Sequence, residues 1–265
     1  MTLIRRFCLL VAGVLGFMTG QETAMANPIY FSGPDLALQK AVDADDPQAV
    51  EEALRAGADV NARERQVGGT ILEYAVAQLR DRVIPVLLKH GADPALRDRE
   101  NANAVTVASK AWFRDTTPLR LLLEAGADPN TRDTVGQPIL HRFLSRKQVD
   151  AVDLLVKHNV DINVVTAGDY NPRKLQAGSS TVTVPDGDPL ILDEASSDDW
   201  DMVYKLLELG AKFDYPNARA EMKKWYNPRY ENIPGVGSKM YDYKVKCWKF
   251  MTERGLKLPP FAGMH

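Results

Sequence analysis

What this sequence lacks narrows the reading before any motif does. Cysteine is scarce: Cys8 and Cys247 are the only two in 265 residues. The first lies in the amino-terminal segment, so the rest of the chain holds one thiol and cannot build an internal disulfide framework. Neither sign of charge dominates, with 33 Lys and Arg against 35 Asp and Glu. That balance lacks the basic surplus with which proteins neutralise phosphates, and it argues against nucleic acid as a partner. Catalytic signatures are missing as well. There is no G-x-S-x-G elbow, P-loop, H-E-x-x-H or C-x-x-C, and Gly235-Val236-Gly237-Ser238-Lys239 has neither the spacing nor the preceding strand of a phosphate loop. His90, His141, His158 and His265 do not pair at zinc-ligand spacing. The acidic clusters Asp43, Asp45, Asp46 and Asp198, Asp199, Asp201 lack the Gly and terminal Glu of a calcium loop. They fall instead at helix starts, where acids suit the helix dipole. The expectation is a chain with no cofactor, no metal and no catalysis of its own.

Long apolar runs are also absent, apart from one at the beginning. Arg5 and Arg6 precede the apolar stretch Phe7 to Met18, and Ala24-Met25-Ala26 supplies small residues at a cleavage site before Asn27. This is the pattern of an export signal over residues 1–26. The apolar part is shorter than the roughly 20 residues that span a bilayer, so cleavage is expected over anchoring, with a periplasmic or secreted mature chain that has no membrane span. Cys247 then reads either as a small buried residue of the last helix or as a reactive thiol.

What is present is repetition. LRAGADVN at Leu54 to Asn61 recurs as LLKHGADP at Leu87 to Pro94, LLEAGADPN at Leu122 to Asn130, VKHNVDIN at Val156 to Asn163 and LLELGAKFD at Leu206 to Asp214. Gly57, Gly91, Gly126 and Asn159 stand 34, 35 and 33 residues apart, a period that fits a turn and two short helices per unit. The glycines sit just past a helix end, where a left-handed conformation suits Gly, and Asn is the next most tolerant residue. In the first unit Leu36, Leu38, Ala41 and Val42 form one helix face. Asp45-Asp46-Pro47 caps a second helix whose face is Val50, Ala53 and Leu54. Thr117-Pro118 and Ser197 read as further helix starts. Such pairs bury their apolar side only by stacking on a neighbour. The paired aliphatics Leu87 and Leu88, Leu122 and Leu123, Leu155 and Val156 belong to that core, and Leu123→Ala is expected to cost ~2–5 kcal/mol in denaturant titration.

The chain resembles the ankyrin-repeat family. Asp133, Gly136, Pro138, Ile139, Leu140 and His141 fall on the family's D-x-x-G-x-T-P-L-H pattern. Gly68, Thr70, Ile71, Leu72, Glu73 and Ala75, then Asp98, Asn101, Val105, Thr106 and Ala108, repeat it more weakly. The resemblance implies an all-α solenoid of stacked helix pairs with β-hairpin fingers, about five repeats over residues 35–218 after a lead-in at 27–34, and a divergent cap at 219–265. It also implies that the His141 ring bonds between repeats. Between Asn163 and Leu190 the period breaks, and Val164 to Pro189 reads as an inserted loop or long hairpin with a β-prone segment at Ser180 to Val184. The third repeat carries extra residues around Trp112 and Phe113, which lie either on the rim or over a gap in the core. In the cap, Ala218 to Trp225 and Tyr243 to Arg254 are candidate helices, and its many aromatics either seal the stack or recognise a partner.

The family binds proteins through its fingers and concave face, so one or more protein partners are expected. Arg63, Arg65, Arg97, Arg99, Arg132, Arg173 and Lys174 fall on the expected finger tips beside Glu64, Asp98, Glu100 and Asp133. The residues singled out for partner contact are Arg65, Arg99, Arg132, Tyr170, Arg173 and Lys174, against the alternative of a solvated mixed-charge surface. An immunity or inhibitor protein acting on a periplasmic toxin or enzyme is one sharper form of this reading. An envelope factor supporting oxidative-stress enzymes is another.

Overall fold

The computed structural model describes residues 30–110, 115–167, 186–213 and 237–259. The expected export signal at 1–26, Trp112 and Phe113, residues 168–185 with Tyr170, Arg173, Lys174 and the β-prone segment, and the cap segment 214–236 lie outside the described residues. Eleven helices and one two-stranded sheet make up what is described. Repeat one is α1 (Pro34–Asp43) and α2 (Pro47–Arg55), and repeat two is α3 (Ile71–Ala77) and α4 (Ile84–Lys89). Repeat three is α5 (Ala104–Ala108) and α6 (Thr117–Glu124), and repeat four is α7 (Ile139–Leu144) and α8 (Val149–Lys157). The strands β1 (Val165–Ala167) and β2 (Asp186–Pro189) lead into repeat five, α9 (Leu190–Ser196) and α10 (Trp200–Glu208), and α11 (Lys239–Glu253) closes the end.

Helix stacks on helix in two columns. First helices α1, α3 and α5 pack in sequence, as do second helices α2, α4, α6 and α8. One continuous core results, running from Phe31 through Leu87, Leu122 and Leu155 to Cys247 and Met251. Leu123 is buried in it, as the repeat pattern expects. Leu88 and Val156, at the same place in their repeats as Leu123, are only half-buried, and so is Leu36 in the first helix.

Each second helix ends identically. Gly57, Gly91, Gly126, Asn159 and Gly210 have φ of 96°, 91°, 90°, 63° and 89°. The next residue's N–H turns back to the helix, as in Ala58 to Ala53 O, Ala127 to Leu122 O and Ala211 to Leu206 O, closing the helix by a Schellman-type bond. Helix starts vary more. Asp46 caps α2 by accepting from the N–H groups of Gln48 and Ala49, with Pro47 behind it. At α6 the cap is supplied by Asp115, which accepts from the Thr117 N–H.

Two expectations are corrected. Ser197 closes the carboxy-terminal end of α9 rather than starting α10; the residue before α10 is Asp199, and Asp198 and Asp199 bind other side chains. The last helix begins at Lys239 rather than Tyr243, because Ser238 accepts from the Tyr241 N–H and nucleates an extra turn. Against α10 this helix buries Tyr241, Cys247 and Met251, with Tyr243 and Phe250 packed on Tyr204. These aromatics line the end of the stack.

Candidate protein-binding surface

The turns between repeats are held together by arginines in equivalent positions. Arg63 donates to Gly68 O in its own turn and to Arg97 O of the next, each at 2.8 Å. Arg97 does the same to Asn101 O at 2.6 Å and Arg132 O at 3.3 Å. Arg132 donates to Gly136 O at 2.9 Å and to Val165 O, in β1, at 3.2 Å. A charged donor to a carbonyl is stronger than a neutral one, so three guanidinium groups lock four successive turns into one edge.

A second ladder runs beside the first. Asn61 accepts from the Asp93 N–H, Asn130 from Asp161 and Asn163 from Lys212. The acid following each ladder arginine closes its own turn. Asp98 accepts from Glu100 and Ala102, Asp133 from Val135 and Gln137, and Glu64 from Gln66, Val67 and Gly69. Glu64 was hidden from the sequence pattern because it fills an Asp position with a longer side chain and one extra turn residue before Gly68.

These contacts separate the arginines proposed for partner contact. Arg65 and Arg99 are exposed on adjacent turn tips. Arg99 donates to Arg65 O and Gln66 O, and Arg65 to Ser32 Oγ, which brings the two together. Arg132 is half-buried in the ladder, and burial holds its guanidinium below the ordinary value. The structure therefore does not put it on the tip with the other two. Tyr170, Arg173 and Lys174 lie outside the described residues; on either side of that segment Val165 pairs with Pro189 and Ala167 with Asp186 in an antiparallel ladder.

Behind the tips lies a cavity of about 90 Å³ lined by Tyr30, Glu73, Tyr74, Asp98, Val107 and Lys110. Glu73 occupies the position that His141 holds in repeat four. It is 5% exposed, and its Oε1 has no hydrogen-bond partner. Burial, reinforced by Asp98, pushes its carboxyl up to about 8. Tyr74 donates to Asp43 at 2.6 Å, and the lead-in is pinned over the cavity by the N–H groups of Tyr30 and Phe31 donating to Gln39 Oε1.

The junction of repeats four and five is ionic. His141 Nε2 stands 2.8 Å from Asp193 Oδ2, so its ring does bond between repeats. Lys147 bridges Asp199 at 2.9 Å and Asp201 at 3.1 Å. Asp133, already closing its turn, takes Arg142 at 2.8 Å. Glu194 is buried beside this cluster, and burial raises its carboxyl to about 7. Cys247 is fully buried, with Sγ 3.5 Å from Trp200 O, and burial pushes its thiol well above the ordinary range. Among the described residues no helix is long and apolar enough to cross a membrane.

No family model matches the chain. Similar proteins include the NF-kappa-B p105 subunit of Gallus gallus, 28% identical over 58% of this chain and 16% of that protein. NF-kappa-B inhibitor alpha of Gallus gallus is 29% identical over 65% of this chain and 53% of that protein. Ankyrin repeat and SOCS box protein 6 of Homo sapiens is 30% identical over 55% of this chain and 36% of that protein. The chain thus spans about half of such a relative's length or much less. The recurrent turn, the two helix columns and these relatives agree on one architecture, an all-α solenoid of the ankyrin-repeat kind.

Proposed function

We propose that this chain is a non-catalytic binding module, exported to the periplasm, that holds a partner protein against its turn edge. The observation that carries the reading is the pair Arg65 and Arg99. The arginine ladder holds their turns in register, and neither pairs with a carboxylate among the described residues. Fixed cations at the tips, with the apolar cavity of Tyr30 and Tyr74 behind them, suit an acidic patch flanked by an apolar anchor. The ankyrin-repeat relatives support protein binding as the kind of work. The Arg5, Arg6 and Ala24 to Ala26 pattern supports export.

A second reading, an inhibitor or immunity protein, is favoured by one feature. The ends of the insertion are paired, β1 against β2, and joined to the turn edge through Arg132, and one relative is itself named as an inhibitor. The test is capture from native periplasm with the mature chain from Asn27, run beside a variant in which Lys174 to Val184 is replaced by a short Gly-Ser link that spares β2. A specific partner held by both forms supports the tip reading. Loss with the replacement supports the inhibitor reading, and no specific partner for either form contradicts both. Amino-terminal sequencing of the exported protein checks cleavage after Ala26.

A further inference from the structure

We propose that the junction of repeats four and five is a binding site for one zinc-class divalent cation, held by His141, Asp193 and Glu194. The three residues each offer a ligand atom, and those atoms all lie within 4.8 Å of one another. Zinc takes nitrogen and oxygen ligands at about 2.0–2.2 Å, so tetrahedral partners stand roughly 3.3 Å apart. His141 Nε2 and Asp193 Oδ2, at 2.8 Å, need only a small outward movement to admit the ion.

Glu194 is the observation that points to a ligand. It is 1% exposed, and its Oε1 is buried without a hydrogen-bond partner. Four residues before the left-handed turn that follows each first helix, repeats one, two and four carry the apolar Ala41, Ala75 and Phe143, and repeat three has Ala108 at the same consensus position. Repeat five has this carboxylate. A buried carboxylate with an open lone pair is costly in a packed core, and a cation shared with a neutral imidazole and a second carboxylate would satisfy it. Two carboxylates and an imidazole are a hard-to-borderline donor set, suited to zinc rather than to the all-oxygen shells of calcium. Lys147, just past the helix of His141, bridges Asp199 and Asp201 at the start of α10 and so holds repeats four and five together beside the three ligands. The sequence hides the set because His141 and Asp193 are separated by the inserted segment.

The test titrates zinc into the full mature chain after chelator treatment, reading affinity by calorimetry and the unfolding midpoint with and without zinc. Cobalt in place of zinc reports the ligand geometry by its visible absorption. One equivalent should bind and raise the midpoint. Glu194→Gln and His141→Asn should each weaken binding at least about tenfold and remove the midpoint shift. Glu194→Ala places the residue of repeats one to three there, so this variant should fold at least as well as the parent without zinc and lose the zinc response. If the parent binds no zinc below millimolar concentration, or if the Glu194 variants bind as tightly as the parent, the proposal is overturned.

Discussion

Where repeat one carries Gln39, repeat three Thr106 and repeat four His141, repeat two carries a carboxylic acid, Glu73, and buries it. Its neighbours are mixed, since Asp98 opposes the charged form while Arg63 and Lys110 favour it, and burial outweighs them all. The folded chain therefore keeps this proton up to about pH 8, whereas the unfolded chain releases it near the ordinary 4.5. The native state binds more protons across that window, so stability falls as pH rises through it, by at most about 1.4 kcal/mol per pH unit. Glu73→Gln should flatten the difference between urea midpoints measured at the two ends of the window. An unchanged difference would mean the carboxyl is hydrated in solution. Cys247 offers a simpler test. The thiolate is the reactive form, and burial suppresses it, so a thiol reagent should label the native chain slowly and the denatured chain to completion. The sequence left core and reactive thiol open for Cys247, because a lone cysteine in a helix carries no sign of what packs over it.

At the scale of elements, the turns join the repeats through two ladders, and one rung is missing. Asn61, Asn130 and Asn163 each accept the N–H of the next turn, but repeat two has Ala95 at that place. The backbone there is already set as in the others, with Asp93 Oδ1 accepting from the Ala95 N–H at 2.8 Å just as Asp128 does from Asn130. Ala95→Asn should therefore supply an acceptor opposite the Asp128 N–H and stabilise the chain by about 0.5–1.5 kcal/mol, read as a raised urea midpoint at constant slope. Much of this layer was legible in the sequence. The Gly57, Gly91 and Gly126 period, with Asn159 as its tolerant substitute, marked every second-helix end, and Asp98 and Asp133 were readable as turn residues. The arginine ladder was visible only as a period of basic residues. Whether Arg132 faces solvent or the next turn's carbonyl depends on how two repeats are spaced, which a single repeat's pattern does not contain. Ser197 misled for a related reason. The chain makes a left-handed turn at Asp198, so helix α10 starts later, and Asp198 binds the Trp200 ring nitrogen at 2.9 Å instead.

For the molecule as a whole, two kinds of joint meet in one stack. The early repeats are joined by apolar contact and backbone-directed ladders. Repeat five, reached across the insertion, is tied by His141 to Asp193 and by Lys147 to Asp199 and Asp201. The helix-pair architecture was readable because one unit recurs along the chain. The candidate surface was only half readable, since Arg65 and Arg99 come together solely through the stacking of two turns. The central claim is that these tips recognise an acidic patch on a partner protein. The most direct test measures the affinity of the partner captured from periplasm for the parent chain, for Arg65→Glu/Arg99→Glu, and for Lys89→Glu/Lys157→Glu. The last pair reverses two exposed cations at the ends of second helices α4 and α8, away from the turn tips. With all three chains equally folded, tip reversal should weaken binding at least about tenfold and steepen its loss with salt, while reversal on the second helices leaves it unchanged. Affinity unmoved by the tips and abolished by the second-helix pair would contradict the account.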